Sequence, residues 1–127
     1  MMNAFNAPVL VVEDEYDSQQ MVSKILQHQG LEVYVAHNGT ECLEIVGQVR
    51  PFLVITDLSM PDMDGWETLE ALRLNPQTAH IPVIAMTAYH SVAVAADAQR
   101  AGFDAYFSKP LDLPSFIACV QDLAAGR

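Results

Sequence analysis

The chain contains 127 residues, and its 16 Asp and Glu residues outnumber its 6 Lys and Arg residues, which gives a formal net charge of −10. A chain of this length can bury a core without disulfides or metals, so we expect residues 1–127 to form a single domain. A net charge this negative repels a phosphate backbone and argues against direct nucleic-acid binding.

Neither the cysteines nor the N-terminus indicates secretion or membrane attachment. Cys42 and Cys119 lie in helical apolar patterns, where cysteines are typically core residues rather than disulfide partners or metal ligands. The N-terminal sequence MMNAFNAP lacks the basic and apolar segments of a signal peptide, and no apolar run reaches membrane-spanning length. We therefore expect a soluble, cytoplasmic protein that makes no membrane contact.

Five short apolar runs are predicted to be strands. The first, Val9-Leu10-Val11-Val12, is continuously apolar, as expected of a strand that is buried on both faces. The second, residues 31–35, alternates between apolar and polar side chains, which indicates one more exposed face. The other predicted strands are residues 52–56, 81–86 and 104–107.

Each strand is followed by a segment with helical spacing of apolar residues. The first helix is predicted to begin after Asp17 or Ser18 as the N-cap and to end at Gly30. Asn38-Gly39 makes the turn before the second helix, and the third helix is expected to begin after Gly65 and to be ended by Asn75-Pro76. The last two predicted helices are the alanine-rich residues 92–101, which Gly102 closes, and a segment around Phe116, Ile117, Val120 and Leu123.

Strict alternation of strands and helices predicts the fold class. It implies an α/β protein, a (βα)5 doubly wound, five-stranded parallel sheet of the flavodoxin-like type with helices on both faces. In such folds the functional crevice lies beyond the carboxyl ends of the strands. The residues that follow the strands are therefore the first place to look for chemistry.

Acids, a hydroxyl and a lysine follow four of the predicted strands, namely Glu13-Asp14, Asp57, Thr87 and Lys109. Carboxylates within about 4–6 Å of one another raise each other's pKa unless a cation joins them. Oxygen ligands with an incomplete shell suit Mg²⁺, and a carboxylate beside this ion can attack phosphorus to form an aspartyl phosphate. A neighbouring lysine and hydroxyl would position the phosphoryl oxygens. The pattern predicts a phosphoryl-transfer site centred on an aspartate.

Four sequence motifs resemble those of a known family. They are "VVEDE", "ITDLSMPDMDGWE", "IPVIAMTAY" and "GFDAYFSKPL", each at the end of a predicted strand. Together they resemble the receiver domain of bacterial two-component response regulators, the CheY-like family, and the resemblance extends from Val9 to about Leu123. Four motifs in this order are far more specific than an acidic pair after one strand.

The resemblance implies a role for each residue of the phosphoryl-transfer site. Asp57 matches the phosphoacceptor, and Glu13 and Asp14 match the acidic pair that binds Mg²⁺. Asp14 is expected to be the more direct metal ligand, with Glu13 acting through water. The backbone carbonyl of Ser59 matches a further ligand. The pair is Glu-Asp rather than Asp-Asp here, a common variant that leaves the metal site intact.

The resemblance also implies how the site would signal. Thr87 matches the hydroxyl residue that senses the phosphoryl group, and Lys109 matches the lysine that pairs with a phosphoryl oxygen. The peptide bond to the following Pro110 is expected to be cis. Tyr106 matches an aromatic residue that swings inward on activation.

The most favoured interpretation is a single-domain response regulator with no output domain. It would accept a phosphoryl group from a sensor histidine kinase or a histidine phosphotransfer protein and would then bind a downstream protein. The surface formed by the fourth helix, the fifth strand and the fifth helix is the expected docking face. Apart from its own phosphorylation and slow dephosphorylation, we expect no enzymatic activity.

Two other functions fit parts of the sequence. One is a docking module with the receiver fold that is never phosphorylated. The other is a phosphatase of the haloacid dehalogenase type, which would need an acid where Ser59 stands. Asp62 and Asp64 are interpreted as loop and cap residues rather than calcium ligands, and Trp66 as a packing residue at a helix start.

Overall fold

The computed structural model describes residues 7–126, which form five strands and five helices in strict alternation. In chain order the elements are β1 (Val9–Val12), α1 (Tyr16–His28), β2 (Val33–Ala36), α2 (Gly39–Val49), β3 (Leu53–Asp57), α3 (Gly65–Leu74), β4 (Val83–Thr87), α4 (Val92–Ala101), β5 (Ala105–Ser108) and α5 (Leu113–Ala124). The order of elements is the predicted one.

All five strands are parallel and form one sheet in the order β2-β1-β3-β4-β5. The chain proceeds from β1 to one edge of the sheet and then returns to the other side of β1 for β3, β4 and β5. This order is that of the flavodoxin-like doubly wound fold, in which the direction of winding reverses beside β1. The predicted fold class is confirmed.

The sheet separates two hydrophobic cores, and alternate residues of β1 contribute to each. Leu10 and Val12 face one core, whereas Val9 and Val11 face the other, and all four are fully buried. The first core contains side chains of three helices, namely Cys42 and Val46 of α2, Leu69 and Leu72 of α3 and Ala98 of α4. The second contains side chains of two helices, namely Val22 and Leu26 of α1 and Phe116 and Val120 of α5. Each buried Val, Leu or Phe contributes about 1.5–3 kcal/mol, which explains why β1 is apolar on both faces.

Four strands, β2 to β5, each end one residue later than predicted, at Ala36, Asp57, Thr87 and Ser108. The sheet ladder continues through Asp57, which pairs with Met86, and through Thr87, which pairs with Ser108. Asp57 and Thr87 are therefore the last residues of β3 and β4 rather than the first residues after them. Local sequence patterns do not contain these cross-strand pairings, which explains the difference from the predicted limits.

The predicted N-cap of α1 and the predicted start of β2 are wrong. The helix begins at Tyr16, and Glu15 is the N-cap residue without a side-chain capping bond. The Gln19 amide donates to the Glu15 carbonyl at 3.0 Å, so the first turn starts at Glu15 and already includes Asp17 and Ser18. Leu31, expected in β2, instead donates its amide to the Leu26 carbonyl and closes the end of α1.

The loop between β3 and α3 confirms the interpretation of its acids. Asp64 is the N-cap of α3 and forms a capping box with Glu67, in which each side chain accepts a bond from the other residue's backbone amide. Asp62 lies in the loop with a left-handed backbone, φ 69°. Trp66 packs edge-on against Phe103 with ring centroids 5.6 Å apart, as expected of a packing residue.

Both cysteines are free, and Cys42 is buried while Cys119 is half-buried. Burial raises the pKa of the Cys42 thiol to about 12, so this side chain stays protonated and belongs to the core, as predicted. None of the helices within residues 7–126 combines the length and the apolar character needed to cross a membrane.

Arg73 of α3 joins the ends of several elements. Its guanidinium donates to the carbonyls of Ala79 and Ile81, at 3.2 and 2.7 Å, and to the carboxylate of Asp104, at 3.0 Å. The same Asp104 oxygen accepts the amide of Val83 at 2.8 Å. One side chain thus fixes the connection into β4 and the start of β5, and satisfies carbonyls that would otherwise lack partners.

Gly65 lies where the backbones of β3 and α3 approach each other. Its amide donates to the Leu58 carbonyl at 3.1 Å. A Cβ at this position would lie 2.4 Å from the Asp57 carbonyl oxygen and 2.9 Å from the Leu58 Cα, both backbone atoms that cannot rotate away. The absence of a side chain at Gly65 therefore allows α3 to start directly beside the end of β3.

We expect Gly65→Ala to lower the free energy of unfolding by about 1–3 kcal/mol, because the added methyl overlaps fixed backbone. Gly47→Ala is the matched control. Gly47 lies in α2, and no atom other than those of its chain neighbours and the helix backbone lies within 4 Å of the place that an added methyl would take, so this change should raise the free energy of unfolding by about 0.5–1 kcal/mol. Urea unfolding of both variants measures the difference, and equal stability of the two proteins would contradict this account of the loop.

Candidate functional site

The carboxyl ends of β1, β3 and β5 bring a lysine between two acids. The Lys109 ammonium donates to Glu13 Oε1 at 2.6 Å and to Asp57 Oδ2 at 3.0 Å. Glu13 directly follows β1, Asp57 ends β3 and Lys109 directly follows β5. Lys109 is 96 positions from Glu13 and 52 from Asp57 in sequence, so only the fold brings them together.

Asp14 completes an acidic cluster with Glu13 and Asp57. Each of the three residues offers a carboxylate oxygen, and the three oxygens lie within 4.8 Å of one another. Glu13 is 0% exposed and Asp57 is 7% exposed, whereas Asp14 is open to solvent. Three carboxylates beside one ammonium leave uncompensated negative charge, and oxygen donors at this spacing suit a hard divalent cation. The cluster could therefore hold a metal ion.

The carboxylate of Asp57 is held at both oxygens. The backbone amide of Ser59 donates to Oδ1 at 3.1 Å, while Lys109 binds Oδ2. Burial raises the pKa of the Asp57 carboxyl, and the negative charge of Glu13 raises it further, against the hydrogen bonds from Ser59 and Lys109. The side chain is thus fixed in place, but its charged form is not fully compensated.

The pKa values of Glu13 and Lys109 are shifted in the directions expected of a stabilised ion pair. Burial raises the pKa of the Glu13 carboxyl, but the hydrogen bonds from Lys109 and from the Glu15 amide outweigh it, so the net shift is downward. Burial lowers the pKa of the Lys109 ammonium, but bonds to Glu13 and Asp57 outweigh it, so the net shift is upward. Lys109 therefore stays charged between two anions.

Thr87 lies one residue beyond the partner of Asp57 on the neighbouring strand. Met86 pairs with Asp57 across the ladder, and Thr87 follows it at the end of β4. The side chain is 2% exposed, and its hydroxyl oxygen accepts the Tyr89 amide at 3.0 Å. The Thr87 carbonyl in turn accepts the Lys109 amide at 2.8 Å, which joins the β4 and β5 ends of the site.

Tyr106 lies on β5, half-buried, opposite Ala85 of β4. Its hydroxyl forms a 2.8 Å hydrogen bond with His90 Nδ1, and the two rings are 5.6 Å apart. Burial raises the pKa of the Tyr106 hydroxyl. The ring is therefore held by a specific polar contact as well as by packing.

Ser59 and Pro110 each lie two residues beyond a strand end, Ser59 after β3 and Pro110 after β5. The Lys109–Pro110 peptide bond is cis, as expected. Ser59 contacts Asp57 through its amide, and it lines an open cavity together with Asp14. The expected metal contact of the Ser59 carbonyl remains a prediction.

Two contacts of the site are not predictable from the sequence. Gln19 of α1 donates its side-chain amide to the Glu13 carbonyl at 2.6 Å, and His90 holds Tyr106. His90 belongs to no metal-ligand spacing, and it is 16 residues from its partner. No periodicity or motif links either pair, so neither contact has a signal in the sequence.

Comparisons with known proteins find relatives that are similar in sequence and in fold. The chain is 38% identical over 120 residues to the regulatory protein AtoC of Escherichia coli K12, covering 94% of this chain and 25% of AtoC. It is 31% identical over 113 residues to the polar-differentiation response regulator DivK of Brucella anthropi, covering 89% of this chain and 92% of DivK. The solved structure of the chemotaxis response regulator CheY4 of Vibrio cholerae matches with a TM-score of 0.83 and 31% identity, covering 92% of this chain and 98% of CheY4.

The match to a protein family covers nearly all of the described chain. The family model described as the response regulator receiver domain matches residues 9–121, from the first residue of β1 into α5. The confirmed sheet order and the CheY-type structural neighbours support the same assignment. The chain therefore belongs to the family of response regulator receiver domains of two-component systems.

Proposed function

We propose that this protein is a phosphoacceptor response regulator that takes a phosphoryl group from a phosphohistidine onto Asp57. The observation that carries this proposal is the arrangement of Asp57 itself. Its carboxylate is fixed by Lys109 on one oxygen and by the Ser59 amide on the other, within a cluster of three acids at the carboxyl edge of the sheet. A structural salt bridge would not need the two additional acids.

In the proposed reaction an oxygen of the ionised Asp57 carboxylate attacks the phosphorus of the phosphohistidine. The O–P bond forms while the P–N bond breaks, and the imidazole leaves with the electron pair and takes a proton from solvent. The Lys109 ammonium would then pair with a phosphoryl oxygen instead of with the carboxylate. Glu13 remains beside Lys109 and keeps it charged and oriented during this exchange.

The cluster fits a divalent cation, and we propose Mg²⁺. Asp14 and Asp57 would hold the ion, with the Ser59 carbonyl as a further ligand and Glu13 acting through water. When bound, Mg²⁺ supplies positive charge that neutralises the phosphoryl oxygens. Solvent-exposed Asp14 leaves this side of the cluster accessible to a donor.

The first test is whether Asp57 alone accepts phosphate. With acetyl phosphate and Mg²⁺, the parent should gain the mass of one phosphoryl group, whereas Asp57→Asn should gain none because the amide is a poor nucleophile. Asp62→Asn is the matched control, since Asp62 is an exposed loop acid in a left-handed conformation that Asn tolerates. Intact-protein mass spectrometry measures the gain. A parent that takes up no phosphate would instead indicate a docking module that is never phosphorylated.

The second test uses the ionisation of Asp57 without divalent cations. Because the pKa of Asp57 is raised in the folded protein, the unfolded chain favours the charged form more strongly than the fold does. Ionised Asp57 therefore lowers the free energy of unfolding above its folded pKa, and this penalty disappears as the pH falls toward the ordinary value of 3.8. In EDTA at pH 7, Asp57→Asn should melt at a higher temperature than the parent, and the difference should shrink as the pH is lowered toward 3.8.

Added Mg²⁺ should reverse that order of stability. The parent should gain thermal stability with increasing Mg²⁺, because a ligand that binds only the folded state stabilises it, and Asp57→Asn should gain less. Equal melting temperatures in EDTA would show that Asp57 carries no burial penalty, and equal responses to Mg²⁺ would show that it does not contribute to the metal site.

We further propose that phosphorylation shifts the equilibrium between two conformations of a protein-binding surface on α4, β5 and α5. Thr87 would move toward the phosphoryl group, and Tyr106 would fill the space that Thr87 leaves. A shift from mostly inactive to mostly active requires roughly 3–5 kcal/mol. One charge-assisted hydrogen bond contributes about 1.5–3 kcal/mol, so both Lys109 and Thr87 are needed.

Thr87→Ala should accept phosphate normally, but phosphorylation should cause little of the conformational change on α4, β5 and α5. Phosphorylation of the parent should shift the backbone NMR signals of His90, Tyr106 and α4, and these shifts should fall to less than about half in the variant. Thr40→Ala removes a hydroxyl from an exposed position outside the site and serves as the control. Full shifts in phosphorylated Thr87→Ala would contradict the proposed role of Thr87.

The proposed partners are a sensor histidine kinase or histidine phosphotransfer protein as the donor and a downstream protein as the target. As a response regulator, the protein would catalyse no reaction on other substrates. A cytoplasmic location is also proposed, and it agrees with the two free cysteines, since disulfides are rare in reducing compartments. Phosphotransfer from each candidate kinase to the parent and to Asp57→Asn identifies the donor.

A further inference from the structure

A second cavity lies at the edge of the sheet where the strands begin. It has a volume of about 490 Å³ and is lined by the end of α2 and by the connection from α3 to β4. Pro51 precedes β3 and Ile81 precedes β4, whereas Asp57 and Thr87 end these strands. The cavity therefore lies at the amino ends of the strands, and the acidic cluster lies at their carboxyl ends.

The charge of this cavity is opposite to that of the whole protein. Its lining includes Arg50 and His80 but no Asp or Glu, although acids outnumber Lys and Arg by 16 to 6 in the sequence. Both side chains are exposed, and within residues 7–126 neither makes a side-chain hydrogen bond or ion pair. The Arg50 guanidinium thus offers five N–H donors, and the His80 imidazole offers at least one, to a bound molecule.

The backbone of Arg50 supports a role for its side chain. Arg50 ends α2 in the left-handed conformation, with φ 50° and ψ 64°, and its amide donates to the Val46 carbonyl at 3.1 Å. Glycine adopts this conformation without cost, as Gly102 does at the end of α4. A residue kept in an unfavourable conformation suggests a function for its side chain, and here that side chain lines the cavity.

Part of the cavity is suited to an apolar group, while Asn75, Gln77 and Thr78 add polar side chains to its lining. Leu43, Val46, Pro51 and Ile81 contribute to its lining. The volume lies within the range of about 300–1,000 Å³ that is typical of small-molecule sites, which combine apolar walls with a few polar groups. The planar guanidinium of arginine pairs with carboxylate or phosphate oxygens through two parallel hydrogen bonds.

We propose that this cavity binds a small amphipathic anion, a carboxylate or phosphate on an apolar body. Arg50 and His80 donate to the anionic oxygens, while Leu43, Val46 and Ile81 contact the apolar part. The site is separate from the phosphoryl-transfer site, so the proposal does not depend on phosphorylation of Asp57. Binding of a metabolite would give the protein a second signal besides phosphorylation, at the ends of the strands opposite the acids.

The test is an NMR titration of the full chain with four probes. Octanoate and octyl phosphate carry both an anionic head and an apolar body, 1-octanol lacks the charge, and acetate lacks the body. At least one of the two amphipathic anions should shift the amide signals of Gly47, Gln77 and Ile81 in a saturable manner. Octanol and acetate should bind at least about tenfold more weakly, because each lacks one set of contacts.

Two variants locate the binding to Arg50. Arg50→Gly removes the guanidinium but suits the left-handed backbone, so it should weaken binding at least about tenfold while the protein stays folded and melts no lower than the parent. Arg100→Gln removes an arginine from α4, where it pairs with Asp97, and should leave binding unchanged. The proposal is overturned if neither anion gives saturable shifts at the cavity, or if the shifts instead spread over other exposed apolar residues. It is also overturned if the affinity of Arg50→Gly for the anion is within about twofold of that of the parent.

Discussion

The pairing of Lys109 with two buried acids is the interaction on which the rest of the site depends. Glu13 is fully buried, and a buried carboxylate without a partner would be strongly unfavourable. Lys109 offsets that cost and at the same time holds Asp57 at one oxygen. The ion pairs connect the ends of β1, β3 and β5, so the same contacts that stabilise this edge of the sheet also orient the proposed nucleophile.

This arrangement leaves the site incompletely neutralised. One ammonium faces three carboxylates, of which only Asp14 is well solvated. A fully compensated cluster would be more stable but would offer nothing to a cation or a phosphoryl group. The pKa of Glu13 is lowered because its hydrogen bonds outweigh its burial, whereas the pKa of Asp57 is raised because its bonds to Ser59 and Lys109 do not.

The fold and the position of the site followed from the sequence because both depend on short-range patterns. Strand and helix alternation predicts the parallel sheet, and the sheet places Glu13, Asp57 and Lys109 at one edge. The limits of β3 and β4 were less accurate, because cross-strand pairing extends each strand through its polar terminal residue. The contacts of Arg73 with Asp104 and of His90 with Tyr106 join residues 31 and 16 positions apart, and no local pattern marks such pairs.

The burial of β1 on both faces has a consequence for the alignment of the sheet. When one face of a strand is exposed to solvent, the alternation of polar and apolar side chains fixes its register with the neighbouring strands. A slip of one residue would turn the apolar side chains toward solvent. In β1 such a slip would only exchange one set of valine and leucine side chains for another, so the apolar residues give little protection against misalignment. It would, however, draw Glu13 away from Lys109 and leave a charge buried alone, at a cost of about 3–5 kcal/mol. The ion pair at the end of β1 thus helps to fix the alignment of this interior strand, and a change that weakens the pair would also weaken the assembly of the fold.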